Sequence, residues 1–261
     1  MDVCIFDTPE AAGAAAAAQA AAVLRETLAT KPRARLILAT GASQLPTLAS
    51  LAREPGIDWS RIDGFHLDEY LGLSSEHPAS FCRYLRERFV TPVGLGSMRY
   101  LDGLAEPETL IGEVGELLAA EPVDLGLIGI GENGHLAFND PPADFQTERP
   151  YLIVSLDRHC RQQQVDEGWF PSLNDVPTRA VSMSVRQILK CNRLICSVPD
   201  RRKAIAVRAA IQGPVDPAVP ASILQTHPAT TIYCDRASGS LLEQSAQADG
   251  SDSASPVTGR G

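Results

Sequence analysis

The chain has 261 residues, 44% hydrophobic and 21% charged, the composition of a globular protein long enough to build a core without metal or disulfide staples. Its net charge of −9 argues against broad binding to nucleic acid or to an anionic membrane, because both need basic surface. A small anionic substrate held by a few local cations stays open. The six cysteines (Cys4, Cys82, Cys160, Cys191, Cys196 and Cys234) form no C-x-x-C pair and no Cys/His cluster with zinc spacing, so they read as reduced thiols of a cytosolic protein.

VCIF (3–6) is the first strand candidate. The stretch AAGAAAAAQAAAVL (11–24) superficially resembles a signal-peptide core, but Asp2, Asp7 and Glu10 precede it without a base. Alanine and the Pro9-Glu10 start predict a helix over 9–29 instead. No apolar run reaches the length of a membrane span. Further strands are expected at 35–40, 62–67, 124–130, 179–185, 193–198 and 230–234, and helices near 44–53, 78–89, 106–119, 200–211 and 238–246. This alternation predicts one α/β domain over 1–245 with a mostly parallel sheet covered on both faces. The small, polar AQADGSDSASPVTGRG (246–261) predicts a disordered tail.

Ligands of open α/β sheets gather beyond the carboxyl ends of strands, so motifs just after strands are the candidates. TGAS (40–43) opens a helix, and its reading is evenly divided. Gly41, Ala42 and Ser43 form either an anion cradle of outward amides or an ordinary strand-to-helix turn capped by Ser43. In HLDEYLGL (66–73), Asp68 and Glu69 point to opposite sides of an extended chain, so at most one faces a pocket and the other is structural. A sheltered carboxylate there can act as a base, although a solvated acidic loop is the commoner arrangement.

GIGENGHLAFNDPP (129–142) has the spacing G-x-G-x-x-G, but Pro141 and Pro142 forbid the long helix that a dinucleotide site needs. The glycines are better read as packing a loop that presents His135 and Asp140, beside the polar Asn133 and Asn139. Cys160 next to His159 suggests a thiol nucleophile only weakly, since neighbours in sequence are a poor guide to a catalytic pair.

FHLDEYLGL followed by HPASFCRYL, then GIGENGHLAFNDPP and RRKAIAVRAAI, resemble the glucosamine-6-phosphate deaminase (isomerase) family, related to 6-phosphogluconolactonases. The resemblance spans roughly residues 2 to 240. It implies a Rossmann-like fold that uses no nucleotide, and conversion of glucosamine 6-phosphate and water to fructose 6-phosphate and ammonia. By position it implies Asp68 as the base at C2 and His135 as the acid/base that opens the sugar ring. Asp140 and Asn133 would orient that imidazole, and Gly41, Ala42, Ser43 and Lys203 would hold the phosphate. A small phosphorylated amino sugar is the implied partner, with no metal or organic cofactor, a cytoplasmic location, and homo-oligomerisation left open. A lactonase on the same fold, which needs no C2 base, and a sugar-phosphate-binding regulator without catalysis are the competing readings.

The chain departs from the family pattern. Several members carry Glu at Asp140, and some carry Asp at Asn133. In RHCRQQQVDEGWF (158–170), which matches a mobile active-site lid, the family's phosphate-binding arginine falls on Gln164. A neutral amide does not replace a bidentate guanidinium. Three readings follow: Arg158 or Arg161 reaches the phosphate, Arg201 or Arg202 beside Lys203 compensates, or the substrate has a different anionic group. The first two together are preferred. Trp169 and Phe170 are expected to pack the lid onto the body. Three cations in the first turn of the 200–211 helix oppose the helix dipole, which hints at a compensating anion.

Overall fold

The computed structural model describes residues 1–243. Its strands are β1 (Asp2–Phe6), β2 (Ala34–Leu38), β3 (Ile62–His66), β4 (Asp68–Tyr70), β5 (Ser97–Arg99), β6 (Leu125–Ile128), β7 (Tyr151–Ser155), β8 (Arg179–Met183), β9 (Arg193–Val198) and β10 (Thr230–Asp235). Its helices are α1 (Pro9–Thr30), α2 (Leu45–Leu51), α3 (Phe81–Leu85), α4 (Thr91–Val93), α5 (Pro107–Ala120), α6 (Arg158–Asp166), α7 (Val185–Ile188) and α8 (Ala204–Gln212). Seven strands form a parallel sheet in the order β1-β10-β9-β6-β2-β3-β5.

Strand β2 shows why the sheet is covered on both faces: all five of its residues are buried. Leu36 and Leu38 join one cluster with Ala16, Ala20 and Leu24 of α1, Leu48 of α2 and Leu85 of α3. Ile37, pointing the other way, joins a second cluster with Ile111 and Val114 of α5, Ile188 of α7 and Val207 of α8. Alanine lets α1 lie close to the sheet, and Thr8 starts it by accepting a hydrogen bond from the Ala11 N–H at 3.1 Å, with Pro9 in the first turn.

Strands β4, β8 and β7 form a separate antiparallel sheet. The segment 179–185 was expected to extend the parallel sheet; it forms β8 of this smaller one. β4 and β7 had no sequence expectation, β4 because three residues with two carboxylates lack a strand signature. The helix expected over 238–246 does not form in its described part. Asp235 captures the Ser238 N–H through its side chain and the Gly239 N–H through its carbonyl, and the chain continues in turns to residue 243. Residues 244–246 of that expectation, and the expected tail over 246–261, lie outside the described residues. Among the described residues, no helix is long and apolar enough to cross a membrane.

Strand order also sets the cleft. After β2 the chain moves to β3 on one side, and after β6 it returns to β9 on the other. The loops leaving β2 and β6 therefore diverge, opening a crevice at the carboxyl edge of the sheet.

Candidate active site

A cleft of about 550 Å3, open to solvent, occupies that crevice. The loop after β2 contributes Gly41, Ala42 and Ser43. The start of β4 contributes Asp68, the loop after β6 His135, the turn before α8 Lys203, and α6 with its C-terminal turn Gln163, Gln164 and Glu167. Six positions singled out in the sequence thus meet in one place, with Gln164 beside them.

Asp68 is 6% exposed, and its Oδ1 is buried without a hydrogen-bond partner. Burial, and then the neighbouring charge of Glu69, push its carboxyl up to about 8. Glu69 faces the other way, as strand alternation requires. Its oxygens accept from the N–H groups of Tyr70 and Cys82 and from the Ser80 hydroxyl, each at 2.8 Å. One carboxylate of the pair is free in the cleft and the other ties β4 to the start of α3.

The loop after β6 contains no helix, as its prolines required. A Cβ on Gly131 would lie 2.1 Å from His135 Nε2, so that glycine is the space in which the imidazole sits. His135 Nδ1 is 3.2 Å from Asp140 Oδ1, near enough to pair but off the line of a good hydrogen bond. Asn133 does not touch the ring. Its amide donates to Asp140 Oδ1 at 3.0 Å, and its carbonyl accepts from the His135 backbone N–H at 3.1 Å. The Asp157 N–H reaches Asp140 Oδ2 at 3.3 Å. Burial pushes the Asp140 carboxyl up, but His135, Asn133 and the Asp157 N–H outweigh it and hold it below the usual range. Asn139 is structural: its amide donates to the Leu136 and Met183 carbonyls, fastening the loop to β8.

The TGAS turn has Gly41 at φ +88°, and Ala42–Gln44 form a single 3-10 turn leading into α2. The opening amides of such a turn have no partner within it and project outward. Lys203 stands near by, 2% exposed, its ammonium pushed down by burial. The anion that meets it is internal. Glu167 Oε1 lies 3.7 Å from Lys203 Nζ, and the Glu167 side chain is only 5% exposed. Glu167 also accepts from Gln163 Nε2 at 2.8 Å and from Trp169 Nε1 at 3.2 Å. Arg202 pairs with Asp200 at 2.8 Å and Glu132 at 3.3 Å, so the basic turn carries its own counter-charges.

The segment expected to be a lid is helical as α6, capped by the Asp157 carboxylate on the Cys160 N–H. Gln164 accepts from the Tyr70 hydroxyl at 2.8 Å. Tyr70 in turn packs on Phe81, Phe138 and Phe170, with ring centroids 4.9, 5.2 and 5.4 Å away. Phe170 and Trp169 pack the segment onto the body, as expected. Arg161 donates to the Leu173 carbonyl and does not line the cleft; Arg158 and Arg201 are exposed outside it. Lys203 is the one Lys or Arg that lines the cleft among the described residues.

Sequence reasoning passed over Glu167 and undervalued Cys160. Cys160 is buried, and its close neighbours are His135 and Asp140, not the exposed His159. No sequence spacing signals either contact: Cys160 meets a loop 20 to 25 residues earlier, and Glu167 meets Lys203, 36 residues later.

A family model described as glucosamine-6-phosphate isomerases/6-phosphogluconolactonase matches residues 7–233. The chain belongs to this family. It is 36% identical over 230 residues to a glucosamine-6-phosphate deaminase of Pseudarthrobacter chlorophenolicus, covering 86% of this chain and 87% of the relative. A solved structure of a monomeric glucosamine-6-phosphate deaminase superposes with a TM-score of 0.84 at 32% identity, covering 93% of this chain and all of the other. A 6-phosphogluconolactonase from Shewanella baltica gives a TM-score of 0.73 at 19% identity over 90% of this chain and 97% of the other, a likeness of fold alone.

Proposed function

We propose that this protein converts glucosamine 6-phosphate and water to fructose 6-phosphate and ammonia. The observation that carries the proposal is the unpartnered Asp68 oxygen, sharing one cleft with His135, whose ring Asp140 backs from outside the cleft lining. Opening the pyranose ring requires a proton to be given to the ring oxygen and one taken from the C1 hydroxyl. Imidazole does both near neutral pH. Asp140, fixed by Asn133 and the Asp157 N–H, sets its carboxylate 3.2 Å from that imidazole and orients it. Asp68 then removes the weakly acidic C2 proton and delivers it to C1. This shifts the double bond so that the C2 amine becomes an iminium, and water hydrolyses the iminium to the ketone with loss of ammonia. A hydrogen-bonded, ionised base is too well satisfied for that task; a buried carboxylate with a raised pKa is a stronger base.

The Gly41–Ser43 amides and Lys203 would take the phosphate. They supply remote binding energy that aligns C1 and C2 with Asp68. The cytoplasmic location and the absence of a required cofactor remain part of this reading.

The test is ammonia release and fructose 6-phosphate formation from glucosamine 6-phosphate by the purified protein, with Asp68→Asn in parallel. Turnover that disappears in the variant supports the deaminase. Hydrolysis of 6-phosphogluconolactone that survives Asp68→Asn would replace it with the lactonase reading, and phosphosugar binding without turnover by the wild type would replace it with a regulator.

A further inference from the structure

Cys160 has no part in the mechanism above, yet its thiol is buried against the two groups that form the acid/base pair. The ligand atoms of His135, Asp140 and Cys160 all lie within 4.8 Å of one another. A thiolate, an imidazole and a carboxylate are a donor set suited to zinc. The geometry between His135 and Asp140 points the same way. Their atoms are 3.2 Å apart, but Nδ1 has no aligned hydrogen bond, so a buried ring nitrogen is left without a proper partner. Two ligands at zinc–nitrogen and zinc–oxygen bond lengths of about 2.0–2.2 Å sit roughly 3.3–3.5 Å apart in a tetrahedron. The pair is therefore set much as the edge of a zinc polyhedron would be, with the Cys160 thiol within 4.8 Å of both atoms to complete a face.

We propose that His135, Asp140 and Cys160 form an inhibitory zinc site. The ion binds the imidazole and the carboxylate, and the Cys160 thiol loses its proton to solvent as the zinc–sulfur bond forms. Three protein ligands leave one position for water. With its ring nitrogen on the metal, His135 no longer pairs with Asp140 or exchanges protons with the sugar, and α6 is fastened to the loop after β6. The ion is an inhibitor and not a cofactor; this consequence rests on the proposed role of His135, whereas binding itself does not.

The experiment titrates the full-length protein with Cd2+ in chelator-free buffer and follows the ultraviolet thiolate-to-cadmium charge-transfer band. Zn2+ competition and ammonia release are measured on the same samples. One equivalent should bind in the wild type. Cys160→Ser and Cys160→Ala should each lose the band and weaken Zn2+ inhibition on the order of 100-fold relative to their own metal-free activity. Asp140→Asn should weaken Cd2+ binding at least about tenfold. An unchanged band in both Cys160 variants would overturn the site, as would an unchanged affinity in Asp140→Asn, which would mark a simple thiol adduct. Cys160-dependent binding that leaves ammonia release intact would overturn the inhibitory role. If the metal-free protein releases no ammonia at all, the deaminase reading fails and the absorption titration alone decides the site.

Discussion

Lys203 Nζ and Glu167 Oε1 lie 3.7 Å apart, and both side chains are almost entirely removed from water. A substrate phosphate approaching Lys203 therefore meets a carboxylate that already neutralises it. Removing one partner of such a pair leaves the other exposed to new interactions. Glu167→Gln is expected to lower KM for glucosamine 6-phosphate on the order of tenfold, or about 1.4 kcal/mol. Lys203→Ala should raise it on the order of 100-fold. Steady-state kinetics on both variants, with Arg161→Ala as control, check this. The Arg161 guanidinium is committed to Leu173, so its variant should change KM less than about threefold. A higher KM in Glu167→Gln would show that the carboxylate serves the substrate instead.

Asp68 yields a paired prediction for activity and stability. In the unfolded chain its carboxyl titrates near the ordinary value of 3.8, and in the fold it is pushed up to about 8 by burial and by Glu69. Between those values the folded protein binds the extra proton, so stability falls as pH rises from about 4 to about 8 and is level above. Asp68→Asn removes this penalty. Its melting temperature should exceed that of the wild type by several degrees at pH 8, with the gap closing below pH 4. The same ionisation generates the base, so kcat/KM of the wild type should rise with pH toward about 8. A wild-type profile flat from pH 5 to 9 would contradict it.

Asp140 acts through His135, so its effect should separate kcat from KM. Asp140→Asn keeps a side chain of the same shape but removes the charge opposite the ring. Loss on the order of 10–100-fold in kcat, with KM little changed, is expected. Asp140→Glu should recover part of it, since the longer carboxylate can still reach Nδ1. Equal losses in both variants would assign Asp140 to the loop's structure alone.

Gly131→Ala is the sharpest steric test. The added methyl would sit 2.1 Å from His135 Nε2, well inside contact distance. The imidazole or the loop must move, at a cost of about 1–3 kcal/mol in stability. Activity should fall on the order of 100-fold or more, measurable beside the shift in urea midpoint.

How much of this was readable in advance follows from where the information sits. Asp68 and His135 stand within a few residues of a strand end, and Pro141-Pro142 rule out the competing helix; both signals are local. The alternation of apolar runs likewise located β1, β2, β3, β6, β9 and β10. What was missed depends on distant packing. β4 is recognisable only from its partner β8. Glu167 gains its meaning from Lys203, 36 positions on, and Cys160 from His135. The expectation that Arg161 serves the phosphate rested on sequence proximity, and the Leu173 carbonyl, 12 residues away along the chain, holds that guanidinium instead.

The division of labour between Asp68 and Glu69 hangs on three residues of backbone. β4 aligns Asp68 with Ser182 and Glu69 with Val181. Because side chains alternate, a slip of β4 by one position would exchange the two carboxylates: the one now wrapped in three hydrogen bonds would enter the cleft, and the base would be locked in its place. The Asn139 anchor on Met183 and the Tyr70 anchor on Gln164 therefore guard chemistry as well as shape. A chain with that slip would present the wrong acid to the reacting carbon.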